Sequence, residues 1–419
     1  MDFLFVLLGS SGDVLPGITI AKELTRRGHR VTILTNPFFQ ADAIREGLSF
    51  LPAGEVDDYK RMTQHPDLWK PMRGTAFLLG EAGFAQMTEQ MLTATQTWMA
   101  KQPGLSFGIV ASSLSLAPRL LRDQKAFPLA TLHLSPMVFR SVIDPPVLAL
   151  GGLIPWIHQR FPRGVRALAD KVLVDPLLEG QLGFLRKSLG LPKIQSWMNR
   201  WWHSPDLVIA LFPEWYSSPK DVPPKTKQFP FPLVGNDAPM PEDLESFLGA
   251  GTAPVVVTLG SAMTQAGKVF AETAKAALAL GRRVVVLTRH PEQLPTLPPE
   301  AFVAHWAPLG PLFSRAALVV HHGGIGTTAQ AIAGGVPQLI LPFAHDQPDN
   351  AHILKRHGLG DFHDPHRLRL GRLKAQMQAI LASKEIAKAC AKRAQMIQNT
   401  HGEVLAADSL EQLVEGFSA

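Results

Sequence analysis

Short apolar runs alternate with amphipathic stretches along most of the chain. Residues 3–8 are continuously apolar, as a strand buried on both faces requires. A glycine-rich turn follows, then helical periodicity over about 17–27, closed by Gly28 where a C-cap glycine belongs. Residues 31–34 read as the next strand. This order implies parallel strands joined by a right-handed crossover. Further strands are predicted at 48–51, 107–111, 129–132 and 207–211, with helical stretches between them, notably 76–100.

The rhythm breaks over 137–195, which is rich in Pro, Gly, Trp and Leu. An irregular apolar insertion of this kind either lines a pocket for a greasy ligand or packs as helices between domains. From 212 to 254 the prolines crowd together, from Pro213 to Pro254, and regular structure is not expected there. A second alternating series then begins. It predicts strands at 255–259, 284–288, 302–305, around 319–320 and at 338–341, a helix at 266–280, and helices through the tail at 369–416. The expected organisation is a Rossmann-like domain at 1–212, a Pro-rich linker at 213–254 and a second Rossmann-like domain at 255–419. The C-terminal helices are free to pack back on the first domain. The fold class is α/β, two such domains facing a central cleft. Ligands bind such sheets at the carboxyl ends of the strands, so the cleft is the expected site.

Composition narrows the class. Of 419 residues, 46% are hydrophobic and 18% charged, which excludes disorder. Cys390 is the single cysteine, so a disulfide framework and a multi-cysteine metal site are excluded and a reducing compartment is expected. The net charge of +6 suits anionic ligands or an anionic membrane surface. No basic stripe with interleaved aromatics appears, so nucleic acid is not an expected partner. The apolar stretch 147–157 holds two glycines and a proline. It is shorter than the roughly 20 residues that span a bilayer. Asp2 precedes the first apolar run without a basic segment, unlike an export signal. A cytoplasmic location is expected, with peripheral contact at the inner membrane face.

Three segments carry candidate chemistry. In 319–330 a strand runs through His321, His322, Gly323 and Gly324 into a helix. Glycines let a ligand approach the backbone, and a helix N-terminus attracts a diphosphate. The alternative is a tight turn with two incidental histidines. In the second segment, Asp346 and Gln347 either hold sugar hydroxyls or begin the next helix, with Asp346 as its cap. In the third, Trp306 either stacks on a nucleobase or belongs to the core.

Taken together, Trp306-Ala307-Pro308, His322 to Thr327, Gly335-Val336-Pro337, Asp346-Gln347 and Asn350-Ala351 resemble the donor signature of the nucleotide-sugar-dependent glycosyltransferases of family 1, which have the GT-B fold. The resemblance implies that Trp306 stacks on the base. His322 and the backbone of Gly324, Ile325, Gly326 and Thr327 would bind the diphosphate, with Ser261 as a further phosphate contact or a helix cap. Asp346 and Gln347 would hold the donor sugar. Gly9 to Pro16 resembles the first loop of bacterial members, where Asp13 is either the catalytic base or a residue of the helix start. Many members place a glutamate eight residues after the signature histidine, on the ribose. This chain has Gln330 there, which is compatible with a deoxyribose.

Further residues look like the rhamnosyltransferases of bacterial rhamnolipid synthesis: Trp202 to Pro205, Leu211 to Trp215, Phe231 to Leu233, Gly335 to Gln338 and Ala344 to Gln347. The implied reaction moves L-rhamnose, with inversion, from dTDP-L-rhamnose to a hydroxyl of a hydroxyacyl lipid. The alternative is a UDP-glucose-dependent enzyme acting on a sterol, carotenoid or polyketide. His133, Phe139 and Trp156 are the expected acceptor contacts, with a buried core histidine as the plain alternative for His133. No Asp-X-Asp motif occurs, so neither a metal nor a resident cofactor is expected, only the nucleotide-sugar co-substrate. A membrane-associated partner subunit is compatible with the lipid acceptor.

Overall fold

The computed structural model describes all 419 residues except 72, 82, 103, 105, 148–159, 237, 399 and 419. The chain forms two units: Met1–Pro232 with His401–Ala419, and Leu233–Thr400.

Unit 1 holds a parallel sheet of β1 (Asp2–Val6), β2 (Arg30–Thr35), β3 (Ser49–Pro52), β4 (Phe107–Ser112), β5 (Leu129–His133), β6 (Leu207–Leu211) and β7 (Thr226–Phe229). Their order is β3-β2-β1-β4-β5-β6-β7. The central strands β4, β5 and β6 are buried at every residue, which explains their predominantly apolar sequence. Helices cover both faces, and one core forms on each side of the sheet. The C-terminal helix Gly402–Ser418 belongs to this unit. It buries Ala406, Ala407, Leu410 and Val414 in one core, and Arg27 meets Asp408 and Glu411 at 2.6 Å each. Burying each large aliphatic side chain contributes about 1.5–3 kcal/mol.

Unit 2 repeats the plan with β8 (Val255–Thr258), β9 (Val284–Leu287), β10 (Ala301–Ala304), β11 (Leu318–His321), β12 (Gln338–Ile340) and β13 (Gly360–Phe362), in the order β10-β9-β8-β11-β12-β13. Each sheet reverses its strand order once, between β1 and β4 and between β8 and β11. Such switch points open a crevice at the carboxyl ends of the strands.

Several elements differ from the sequence expectation. The first helix spans Ser11–Arg26 and starts inside the glycine-rich loop, because a Ser10–Asp13 capping box nucleates it. Pro16 is tolerated within it at the cost of one backbone bond. The helix expected at 76–100 is shorter, Phe84–Met99, preceded by a short helix Arg73–Ala76 and a π turn Phe77–Glu81. The proline-rich span contains β7 and a helix Glu242–Gly249. β7 is an edge strand paired only with β6, so prolines beside it break no ladder.

Candidate functional site

In unit 1 the loop after β1 carries one carboxylate. Gly9 has φ +132°, and a Cβ there would lie 2.5 Å from Asp13 Oδ2. Only glycine lets the loop fold over that side chain. Asp13 Oδ2 accepts the Ser10 backbone N–H at 2.7 Å and the Ser10 hydroxyl at 2.8 Å. The helix-start role is therefore real, and it occupies one oxygen only. Burial raises the Asp13 carboxyl above its ordinary range, with the Ser10 bonds opposing the shift. A carboxylate with raised proton affinity is the stronger general base. Across the switch point the Leu8 N–H donates to Ser112 Oγ at 2.9 Å, which ties this loop to β4.

His133 ends β5 and is fully buried. Its Nδ1 lies 2.9 Å from Ser113 Oγ and its Nε2 lies 2.8 Å from His203 Nδ1. Phe139 stacks on His203 with ring centroids 5.7 Å apart and meets His133 edge-on at 5.3 Å. Burial holds His133 well below its usual value and His203 at about 4, so both rings are neutral at pH 7. The structure thus brings His133 and Phe139 together in a buried cluster in which both His133 nitrogens are engaged. Trp156 lies outside the described residues.

In unit 2 the expected donor residues gather at the carboxyl ends of β8, β10, β11 and β12. His322 follows β11 directly. Its ring lies against two glycines: a Cβ at Gly260 would stand 2.9 Å from its Nε2, and a Cβ at Gly324 would overlap the same atom. Gly260 belongs to the loop after β8, so the imidazole sits at the switch point. Burial pulls His322 down to about 3, with His321 adding to the shift. The neutral ring can therefore donate a hydrogen bond to a phosphate, but it brings no positive charge. Its Nδ1 is buried without a hydrogen-bond partner. His321 is a structural residue. Its Nδ1 accepts the Gly323 N–H at 3.1 Å, and its Nε2 lies 2.9 Å from Gln338 Oε1.

Gly324 caps the helix Ile325–Ala333, whose first intrahelical bond comes from the Thr328 N–H. The N–H groups of Ile325, Gly326 and Thr327 are left for a ligand, with the positive end of the helix dipole behind them. On the next turn Gln330 is buried. Its Nε2 donates to the Val234 carbonyl at 2.9 Å, and its Oε1 has no partner.

Asp346 precedes the helix Gln347–Arg356 but makes no side-chain cap bond. It accepts the Asn350 Nδ2 at 2.8 Å, and the same amide nitrogen reaches the Gly323 carbonyl at 2.9 Å. Asn350 therefore ties the glycine loop to the Asp346 loop, a positioning role the sequence did not reveal. Gln347 Oε1 accepts the Phe343 and Ala344 N–H groups at 2.8 and 3.2 Å. Between these residues, His345 takes the left-handed conformation at φ +58°, a strained state for a residue that is not glycine. Trp306, after β10, is 42% exposed, which suits a stacking platform better than a core residue. Ser261 is no helix cap, since the following helix begins at Gly267. Its carbonyl lies 3.1 Å from His290 Nε2, a second tie the sequence did not show.

Among the described residues, no group of three or more His, Cys, Asp or Glu side chains is arranged to hold a metal ion. Cys390 is buried and its thiol is pushed up to about 12, so it is no nucleophile at neutral pH. No helix among the described residues is long and apolar enough to cross a membrane.

Residues 3–142 match the glycosyltransferase family 28 N-terminal domain, and residues 271–410 match the erythromycin biosynthesis protein CIII-like C-terminal domain. Glycosyltransferase GtfE of Amycolatopsis orientalis is 28% identical, over 98% of this chain and 97% of its own. A sterol 3-beta-glucosyltransferase of Arabidopsis thaliana is 26% identical, over 86% of this chain and 57% of its own. Among solved structures, the kitacinnamycin glycosyltransferase aligns with a TM-score of 0.75 at 19% identity, covering 99% of both chains. The spinosyn rhamnosyltransferase SpnG complexed with thymidine diphosphate aligns with a TM-score of 0.69 at 20% identity, covering 98% of this chain and 100% of that one.

Proposed function

Starting from a chain that is a glycosyltransferase of the GT-B fold, we propose that it transfers a deoxyhexose from a dTDP-sugar to one hydroxyl of an apolar acceptor. L-Rhamnose and a hydroxyacyl lipid are the specific donor sugar and acceptor of this reading.

The observation that carries it is the state of Gln330. A glutamate at this point of the family signature offers two acceptor oxygens to the two ribose hydroxyls. Here the amide nitrogen is committed to the Val234 carbonyl, which can only accept. One buried oxygen is left, and it has no partner. A single acceptor matches the single 3′-hydroxyl of a deoxyribose. An unpaired buried acceptor costs roughly 1–3 kcal/mol, which a bound hydroxyl would relieve. Two structural neighbours were solved with thymidine diphosphate, which agrees with this reading.

In the reaction, Asp13 accepts the proton of the acceptor hydroxyl as its oxygen attacks the anomeric carbon. The bond from that carbon to the diphosphate breaks on the opposite face, which inverts the configuration. The electron pair leaves on the diphosphate. The free N–H groups of Ile325, Gly326 and Thr327 and a neutral His322 stabilise that charge. Asp346 and Gln347 orient the sugar, and Trp306 stacks on thymine. In this reading, protein groups rather than a metal ion carry the leaving-group charge.

Calorimetry with dTDP and UDP tests the donor. Tighter dTDP binding is expected, with Gln330→Glu moving the preference toward UDP. Tighter UDP binding by the unaltered protein would overturn the donor assignment. The sterol glucosyltransferase relative keeps a UDP-glucose reading as the second outcome of that experiment.

A further inference from the structure

Residues 162–188 of unit 1 form one continuous helical rod: an α-helix Pro162–Ala169, a π turn Asp170–Val174 and an α-helix Asp175–Ser188. Its inner side buries Leu178, Leu182 and Leu185. The outer side is apolar as well. Leu168 is 64% exposed, Val172 57%, Leu173 56% and Phe184 51%, with Phe161 at 60% just before the rod. Positions 164, 168, 172, 176, 180 and 184 are all exposed, and they read Gly164, Leu168, Val172, Pro176, Gly180 and Phe184. Not one is polar, although a water-facing helix stripe normally is.

The charges around this face share one sign. Arg160, Arg163, Lys171 and Lys187 are exposed. The acidic residues of the rod are turned inward or engaged. Asp170 is buried beside Arg140 at 2.5 Å, Asp175 accepts the Trp197 N–H at 2.9 Å, and Glu179 faces Lys193 at 3.8 Å. A second copy of this face would oppose like charges, so charge argues against self-association. An exposed apolar stripe flanked by unopposed cations suits a surface that is both apolar and anionic.

We propose that this face is a docking surface for an anionic lipid bilayer. The rod lies in the interface with Leu168, Val172, Leu173 and Phe184 in the headgroup–acyl boundary. The four cations meet lipid phosphates. The proposal does not depend on the donor or acceptor named above.

The test is co-sedimentation of the full-length protein with vesicles of phosphatidylcholine alone and of phosphatidylcholine with phosphatidylglycerol. Partitioning at least ten-fold stronger onto the anionic vesicles is expected, weakening at high salt. Leu168→Glu with Val172→Glu should lose most of it. Arg163→Gln with Lys171→Gln should weaken it roughly five-fold per charge. The second pair leaves the apolar face intact, so it decides the matter even where the first pair perturbs folding. Equal binding to both vesicles, or unchanged binding by the Arg163→Gln/Lys171→Gln variant, would overturn the proposal. So would light scattering that shows a wild-type dimer dissolved by the Leu168→Glu/Val172→Glu variant without any vesicle binding.

Discussion

Gly324→Ala isolates the contribution of His322 without touching it. The backbone at Gly324 has φ −60° and ψ 140°, which alanine adopts freely, so no backbone strain arises. Replacing a glycine cap by alanine costs less than about 1 kcal/mol, and the helix Ile325–Ala333 should survive. The new methyl group, however, overlaps His322 Nε2. Gly260 also packs near this ring, since a Cβ built there would stand 2.9 Å from the same nitrogen, so the ring has little room to retreat that way. It must rotate out of the switch point and lose the hydrogen bond to the diphosphate that is proposed for it. A hydrogen bond to a charged group contributes about 1.5–3 kcal/mol, which corresponds to roughly a 10- to 150-fold loss of dTDP affinity. Calorimetry with dTDP on Gly324→Ala, His322→Ala and the double variant measures this. The two losses should be strongly non-additive, since both remove the same bond. Unchanged affinity in Gly324→Ala, or losses that simply add, would refute the placement of His322 on the diphosphate.

Asp13→Asn should lower turnover by about 10²–10⁴-fold while leaving dTDP binding intact, as expected for loss of a general base. The base must be ionised to act, and burial raises its carboxyl. Activity should therefore fall on acidification at a higher pH than an ordinary aspartate would give, which a kcat/KM profile against pH would show. Trp306→Ala should weaken dTDP by about 1–3 kcal/mol of lost stacking and Trp306→Phe by less; equal effects in the two titrations would argue against stacking. The His321 ring is held down at about 4 and His322 at about 3, so between those values and about 6.5 the unfolded chain binds more protons than the folded one. Stability should drop below about pH 6.5 by up to roughly 1.4 kcal/mol per pH unit for each histidine. Denaturant midpoints at pH 7 and 5 would show this, with His322→Ala flattening the slope. A slope identical in that variant would contradict the burial argument for His322.

Much of the fold was legible because a parallel sheet buries both faces of each central strand. β4, β5, β6 and β8 therefore stand out as mostly apolar runs. β7 and β13 did not, since edge strands of four and three residues carry too little pattern. The start of the first helix was misplaced because its nucleating contact, Ser10 with Asp13, is invisible to hydrophobic periodicity. The candidate donor residues stand out in the sequence as a motif whose glycines mark close backbone approach. The hydrogen bonds that hold their loops do not. Asn350 and His290 act across loops that are brought together only by β11 and β12 or by β8 and β9. Burial keeps His322 neutral, a property no local spacing reveals.

The reaction itself is the most direct test. Purified protein is supplied with dTDP-L-rhamnose or UDP-glucose and a panel of hydroxyacyl lipids and sterols, and the products are read by mass spectrometry. The account predicts a product heavier by one deoxyhexosyl group, formed from the dTDP-sugar on a lipid hydroxyl and abolished by Asp13→Asn. Glucosyl transfer from UDP-glucose in preference, or full activity in Asp13→Asn, would contradict it.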